Sequence, residues 1–371
     1  MDFSFTQEHE ELRQTVRRFL ERESPEARVR ALMETPTGYD ERVWKRMAGE
    51  LALPGLVIPE RYGGAGLGPI ELAIVMEEMG RVLFCGPYLS TAVLSVYALL
   101  HVAAEEAKNR LLPEIASGAI ISAVALEQET GRPGADDSAC RAVREANGWR
   151  LDGSAAFVVD GHVADVVLVV ARTTEGRRLF RVDGNAPGLR RTALPALDLT
   201  RKLARLDFSA APAEMISAGD LSSALEPALA RAVGALSAEQ VGGAQRCLEM
   251  ATEYAKTRLQ FGRPIGSYQA IKHKCADMLV EVEFARSAAY YVAFRAQERD
   301  DGETIAAAHM AKAYCSEAYF HAAAENIQIH GGMGFTWEHS AHLYFKRAKA
   351  SSVLFGDPIR HRRELARRIG I

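Results

Sequence analysis

YAKTRLQFGRPIGSYQAIKHKCADM, Tyr254 to Met278, is the stretch on which the fold turns. Arg258 and Phe261 stand at the end of one helical run, a Gly-Pro turn follows, and Gln269 opens the next helix. A guanidinium forks onto phosphate oxygens and glycine lets backbone amides approach, so the arrangement suits a pyrophosphate. A plain helix-turn-helix with a solvated arginine explains the same residues, and both readings stay open.

Outward from this stretch the helical period persists in both directions. Leu221, Leu225, Leu229 and Val233 recur every four residues. The pattern predicts helices over 219–258, 267–299, 303–328 and 338–349, with a terminal one over 358–369. Helices this long, joined by short connections, make an antiparallel bundle. Before residue 213 the period changes to that of strands. ISAVALEQ, WRLDGSAAFVV, VADVVLVVART, RRLFRVD and LARLDFSAAP are short, rich in Val and Leu, and separated by Gly, Asp and Asn. GRPGADDS, 131–138, is a loop between them. Nearer the N-terminus the chain is helical again. Thr6 caps a run that places Phe3, Leu12, Val16, Phe19 and Leu20 on one face. The loop PERYGGAGLGP, Pro59 to Pro69, precedes helices over 70–84, 88–101 and 104–117, the last closed by Gly118. The expected class is α+β: a helical domain over 1–118, a β domain over 119–212, and a helical bundle over 213–371.

Composition narrows the function. Hydrophobic residues at 48% and charged residues at 25% are ordinary for a folded domain, and a net charge of -3 points away from nucleic acid and anionic membrane surfaces. No apolar run approaches about 18 residues, so no membrane span is expected. MDFSFTQEHEEL is acidic and amphipathic, unlike a signal peptide, and a cytoplasmic location is expected. Cys85, Cys140, Cys247, Cys275 and Cys315 form no CxxC pair and read as buried thiols, neither disulfides nor metal ligands.

A second Gly-rich stretch, NIQIHGGMGF, spans Asn326 to Phe335. Gln328 and the amides around Gly331, Gly332 and Gly334 suit a nucleotide, though a plain helix C-cap explains the glycines equally. Taken in order, RxxFGxPIG with QAIxHKxADM and then QIHGGxGF resemble the acyl-CoA dehydrogenase family. FTQEHEELRQTVRRFL, PERYGGAGLG, FVVDGHVADVVLVVART and LDLTRKLARLDF extend the resemblance over essentially the whole chain. It implies a barrel-like β domain, a long four-helix bundle, and a tetramer. It also implies FAD held between the β domain of one subunit and the bundle of its neighbour. In this family the flavin takes a hydride from the β carbon of an acyl-CoA while a Glu removes the α proton, and electron-transferring flavoprotein is the usual acceptor. Arg258, Phe261, Gln328, Gly331 and Gly332 match the residues that reach across the dimer to a neighbour's FAD.

The departures from the pattern fall at the chain's own site. LEQETGRPGADD, Leu126 to Asp137, stands where a TEPxAGSD-like stretch is usual, with Glu127 in place of a small Thr. FVVDG replaces a W/F-I-T/S-N-G stretch, so Phe157 and Val159 take the flavin-facing positions and Val159 lacks the hydroxyl. The usual base lies in a YEGT-like sequence, and the matching residue is Phe355. An alternative base position, counted back from Gln245, lands on Ala232. Glu239 and Asp357 are the nearby carboxylates, and both read better as exposed or capping groups. Phe355 reads as buried apolar filler. His162 reads as a turn residue, His330 as a shaper of the Gly-rich loop, and the run Arg360–Arg368 as a solvated terminal helix, with contact to CoA phosphates as the alternative.

The leading expectation is therefore a base-lacking subunit that completes a partner's FAD site, resembling the non-catalytic chains of heteromeric bacterial enzymes that degrade sterols and bulky acyl groups. Alternatives are a self-sufficient homotetramer with Glu239 or Asp357 as base, a flavin oxidase or monooxygenase on the same fold, and a structural protein without flavin.

Overall fold

The computed structural model describes residues 5–126, 140–146, 148–221, 224–298 and 300–371. They form two compact units, one of segments Met1–Ala31, Pro69–Phe84 and Val233–Ile371, the other of Leu32–Gly68 and Cys85–Ala232.

The first unit is helical. Helix α1, Gln7–Glu23, starts at a capping box: Thr6 accepts from the His9 amide, and His9 Nδ1 accepts from the Thr6 amide. Val16, Phe19 and Leu20 of its apolar stripe are buried. The short helix α2 (Glu26–Met33) follows; α3 (Glu41–Leu51) belongs to the second unit, and the first resumes with α4, Pro69–Arg81. Helix α4 crosses the 33-residue helix α7 that lies far downstream (Leu225–Thr257), and glycines set the crossing. A Cβ at Gly242 would lie 1.8 Å from the Glu77 carbonyl oxygen, and one at Gly80 would lie 2.0 Å from that of Glu239. The backbones therefore touch, which only glycine allows.

Buried charges tie these helices together. Glu77 and Glu78 are almost wholly buried on α4. Arg13 reaches Glu77 at 2.9 Å, Arg17 forks onto Glu78 with two contacts of 2.8 Å, and Arg286 and the Tyr290 hydroxyl also bond Glu77. Removing one member of such a buried set costs about 3–5 kcal/mol, because the remaining charge loses its partner.

The second unit holds the strands. The π-helical turn Leu89–Ser95 runs into α5 (Val96–Val102), and α6 (Glu105–Ala116) follows. Strands β1 (Ser122–Ala125), β2 (Arg141–Glu145), β3 (Gly148–Val159), β4 (Val166–Thr173), β5 (Gly176–Asp183), β6 (Leu189–Leu194) and β7 (Leu203–Met215) make one sheet. Its order is β1-β4-β2-β3-β7-β5, β6 pairs with β7, and β5 pairs back to β4, so the sheet closes into a small barrel. Residues 166–171 of β4 are all buried, which fits their unbroken apolar run and the parallel pairing of β1 with β4. Leu151, Val167, Val169, Phe180 and Leu206 form the barrel core. Strands β2 (RAVRE) and β6 (LRRTAL) were not expected from the sequence. Both are charge-rich and mostly solvent-facing, so they lack an apolar alternation to read.

The bundle completes the chain with α8 (Gln269–Gln297), α9 (Asp301–His330), α10 (Ala341–Val353) and α11 (Pro358–Arg368). Helix α7 begins six residues later than the period predicts, and α10 runs from Ala341 to Val353 instead of 338–349. Among the described residues, no helix is long and apolar enough to cross a membrane.

Candidate functional site

The turn after Arg258 is a β-hairpin, a correction to the helix-turn-helix reading. Leu259–Gln260 (β8) pairs with Arg263–Pro264 (β9), and the Ile265 amide bonds the Arg258 carbonyl at 2.8 Å. Phe261 and Gly262 form its tip with φ of 52° and 80°. Arg263 lies 4.1 Å over the Tyr268 ring, and the Tyr268 hydroxyl bonds the Gln260 carbonyl at 3.1 Å. The hairpin is thus braced from behind, leaving Arg258 exposed and Phe261 91% exposed. A bare phenylalanine held at φ > 0 costs the isolated unit free energy, as befits a residue shaped for contact with another body.

The second Gly-rich stretch lies at the end of α9. Gly331 has φ 60° and ψ −138°, a conformation open essentially to glycine alone, and its amide bonds the Gln328 carbonyl. A Cβ on Gly332 would meet nothing within 4 Å. This chain's own packing does not require glycine there, so its small size leaves room for a group from outside. Gly334 is different, since its Cβ would press on Ile327 and His330. Tyr254, one turn before Arg258, stacks on His330, the residue before Gly331, with ring centroids 4.3 Å apart. This contact brings the two Gly-rich turns to one end of the bundle. Gln328 is exposed beside them.

Neither sequence-matched base position carries a carboxylate. Ala232 is buried on α7. Phe355 is half-buried, not buried, and its φ of 62° puts a bulky side chain in the left-handed region. The loop around it is clamped from below. Lys312, wholly buried, donates to the carbonyls of Ser352 (3.0 Å) and Gly356 (3.2 Å) and to the Ser316 hydroxyl (3.0 Å). His361 donates to the Phe355 carbonyl at 3.2 Å, and its other ring nitrogen lies 2.9 Å from His309 Nδ1. Burial pushes Lys312 down to about 7. Burial, then the Lys312 and His309 charges, push His361 down to about 3. These contacts satisfy carbonyls at the C-terminus of α10, where a cation is favoured.

The nearby carboxylates are engaged elsewhere. Glu239 is neither exposed nor a cap: it is buried and bonded by the buried Arg347 at 2.8 Å. So placed, its carboxylate is held by a guanidinium and is not presented at the surface. Asp357 caps α11, accepting from the Arg360 amide at 2.8 Å.

In the β unit, the register of β3 on β7 shifts between Ala155 and Val158, and Phe157 sits in that bulge with φ 57° and 44% exposure. Val159 is buried and offers no hydrogen bond. The next residue, Asp160, accepts from Ser90 of the π-helical turn at 2.7 Å, a contact the sequence reading missed. His162 lies in the following turn and bonds the Thr37 carbonyl. Residues 127–137, including Glu127, lie outside the described residues. Among the described residues, no group of three metal-ligating side chains occurs. Four cysteines are buried, and Cys275 is half-buried.

The helical parts match known family models. Residues 6–119 match the acyl-CoA dehydrogenase N-terminal domain, and 223–370 the C-terminal domain. The chain is 36% identical over 364 residues to acyl-CoA dehydrogenase IpdE2 of Mycobacterium tuberculosis, covering 98% of this chain and 96% of that one. Among solved structures it resembles a steroid acyl-CoA dehydrogenase variant, Tcur3481–Tcur3483, with TM-score 0.89, 31% identity and 98% coverage of both chains. It also resembles the ChsE4–ChsE5 complex of Mycobacterium tuberculosis, with TM-score 0.90, 29% identity, and coverage of 100% of this chain and 99% of that one.

Proposed function

Because the chain belongs to the acyl-CoA dehydrogenase family, we propose that it serves as a base-lacking subunit that completes the FAD site of a related, catalytic chain. The observation that carries this reading is the pairing of loss and retention. Phe355 and Ala232 leave both base positions without a carboxylate, and Glu239 is locked to Arg347. Yet Arg258, Phe261, Gln328, Gly331 and Gly332 are presented outward at one end of the bundle.

The residues of the helical unit fit the ADP half of FAD. Arg258 offers a fork for the diphosphate, Gly331 and Gly332 leave a surface free of side chains, and Gln328 offers an amide. The β unit fits the flavin ring less well, because Val159 has no hydroxyl to give. When bound, FAD supplies the acceptor for the hydride from the acyl-CoA β carbon, and the α proton passes to a carboxylate of the catalytic chain. This chain's part is to hold the cofactor and to close the site. Exposed apolar side chains on the helical unit, among them Phe261, Val280, Phe284, Phe335 and Trp337, support contact with another subunit. Two-chain assemblies among the similar structures support the same reading.

The test is flavin content. The chain purified alone should be nearly colourless, and co-expression with a base-bearing homologue should yield a yellow complex that dehydrogenates acyl-CoA. A stoichiometric, active yellow protein from this chain alone would overturn the reading in favour of a self-sufficient enzyme.

A further inference from the structure

The turn at Gly331–Phe335 rests on a column of rings. Tyr254 stacks on His330 at 4.3 Å, and His330 packs on His339 at 4.2 Å. The hydrogen bonds fix which nitrogens carry protons. His330 Nδ1 faces the Asn326 carbonyl at 2.8 Å and must donate. His339 Nδ1 accepts from the amide of Ala341, the first residue of α10, at 3.1 Å and must be bare. Two further side chains hold the segment over the column. Arg30 donates to the carbonyls of Trp337 (2.8 Å) and Glu338 (3.2 Å), and His342 donates to that of Trp337 (3.3 Å).

This arrangement tolerates added protons poorly. A proton on His339 Nδ1 would oppose the Ala341 amide and the positive end of α10. A second proton on His330 would set two cations about 4 Å apart. The charged and titratable groups facing the column are of both signs. Arg30 comes from α2, His342 and Lys346 from α10, and the neutral Tyr254 from α7; Glu26 is itself bonded by Arg30 at 2.8 Å. Burial holds His330 and His339 below the usual histidine range; Glu26 opposes this at His339 while Arg30 and His342 add to it, and at His330 the Asn326 carbonyl opposes it while His339 adds to it.

We propose that His330 and His339 are positioning residues of the dinucleotide turn: uncharged, they hold Gly331–Phe335 in the shape that takes the ADP half of a dinucleotide, and protonating the column releases it. The idea rests on the reading of this turn as part of a FAD site.

The experiment is a calorimetric titration of the full chain with ADP between about pH 7.5 and 5, with Trp337 emission followed in parallel and corrected with Trp337→Phe. For the wild type, the dissociation constant should rise at least about tenfold over this range. His330→Phe keeps a ring in the column without a titrating nitrogen and should flatten the profile. His339→Ala should weaken ADP at all pH values, and His339→Asn, which can still accept from Ala341, should recover part of the loss. A merely structural role would lower stability without moving the pH profile. A wild-type affinity that is flat with pH, or a His339→Ala protein with unaltered affinity, overturns the proposal while the FAD reading stands. ADP binding at no pH overturns both, whether or not Trp337 emission still responds to acid.

Discussion

Lys312 stands in an environment far from its usual one. Its ammonium is fully buried and held by two main-chain carbonyls and a hydroxyl. Burial lowers it from 10.5 to about 7, so between those values the unfolded chain binds a proton that the folded chain has released. Stability must then rise with pH across that window, and the penalty is fully felt below pH 7. Lys312→Met removes this contribution. The difference in unfolding free energy between wild type and variant, from denaturant melts between about pH 7 and 10, should therefore widen in favour of the wild type as pH rises. At pH 7 the variant should already be weaker by roughly 1–3 kcal/mol, because the carbonyls of Ser352 and Gly356 lose their donor. A difference that is constant with pH would show that Lys312 does not titrate in this range. Glu239→Gln tests the second buried charge. Leaving the Arg347 guanidinium without its counter-charge should cost about 3–5 kcal/mol. A neutral outcome in denaturant melts would mean that Glu239 is free after all and would reopen its candidacy as a base.

The crossing of α4 and α7 is the contact on which the helical unit depends. A methyl group at Gly242 or Gly80 would drive into a backbone carbonyl, and backbone, unlike a side chain, cannot swing aside. Gly242→Ala should cost about 3 kcal/mol or more, and Gly219→Ala, with open space at its Cβ, should cost far less. Comparable denaturation midpoints for the two variants would argue against the close crossing. The elements themselves were largely legible in the sequence. Their long helices advertise a 3.6-residue period over many turns, and the buried strands β1, β3, β4, β5 and β7 advertise unbroken or alternating apolar runs. Strands β2 and β6 were not legible, because a strand that borrows its place from its neighbours needs no apolar face of its own. The hairpin after Arg258 was hidden for a similar reason: its two-residue strands are too short to carry a period.

At the scale of the whole molecule, the sequence offers candidate groups for the site, and what it hides is their bracing. RLQFG and QIHGG name an arginine and glycines that suit a diphosphate, and Arg258, Gly331 and Gly332 stand exposed. No sequence pattern shows that Tyr254 stacks on His330, that Lys312 grips the loop of Phe355, or that Glu239 is spent on Arg347, since each contact joins helices far apart in the chain. Those three contacts bear on how the chain works in an assembly. On the function proposed above, a chain with Val159 where a hydroxyl is usual should contribute an ADP cradle to a partner without holding a flavin of its own. Its complex with a base-bearing homologue should then contain half as many flavins as chains, measured by absorbance after denaturation against protein concentration. Arg258→Ala in this chain should lower that flavin content, because the lost guanidinium served the shared cofactor, and activity should fall in parallel. Phe355→Ala should leave flavin content intact. Equal numbers of flavins and chains would mean that the altered β unit still holds its own cofactor. In that case the proposed non-catalytic role would rest on the missing carboxylates and not on the missing hydroxyl.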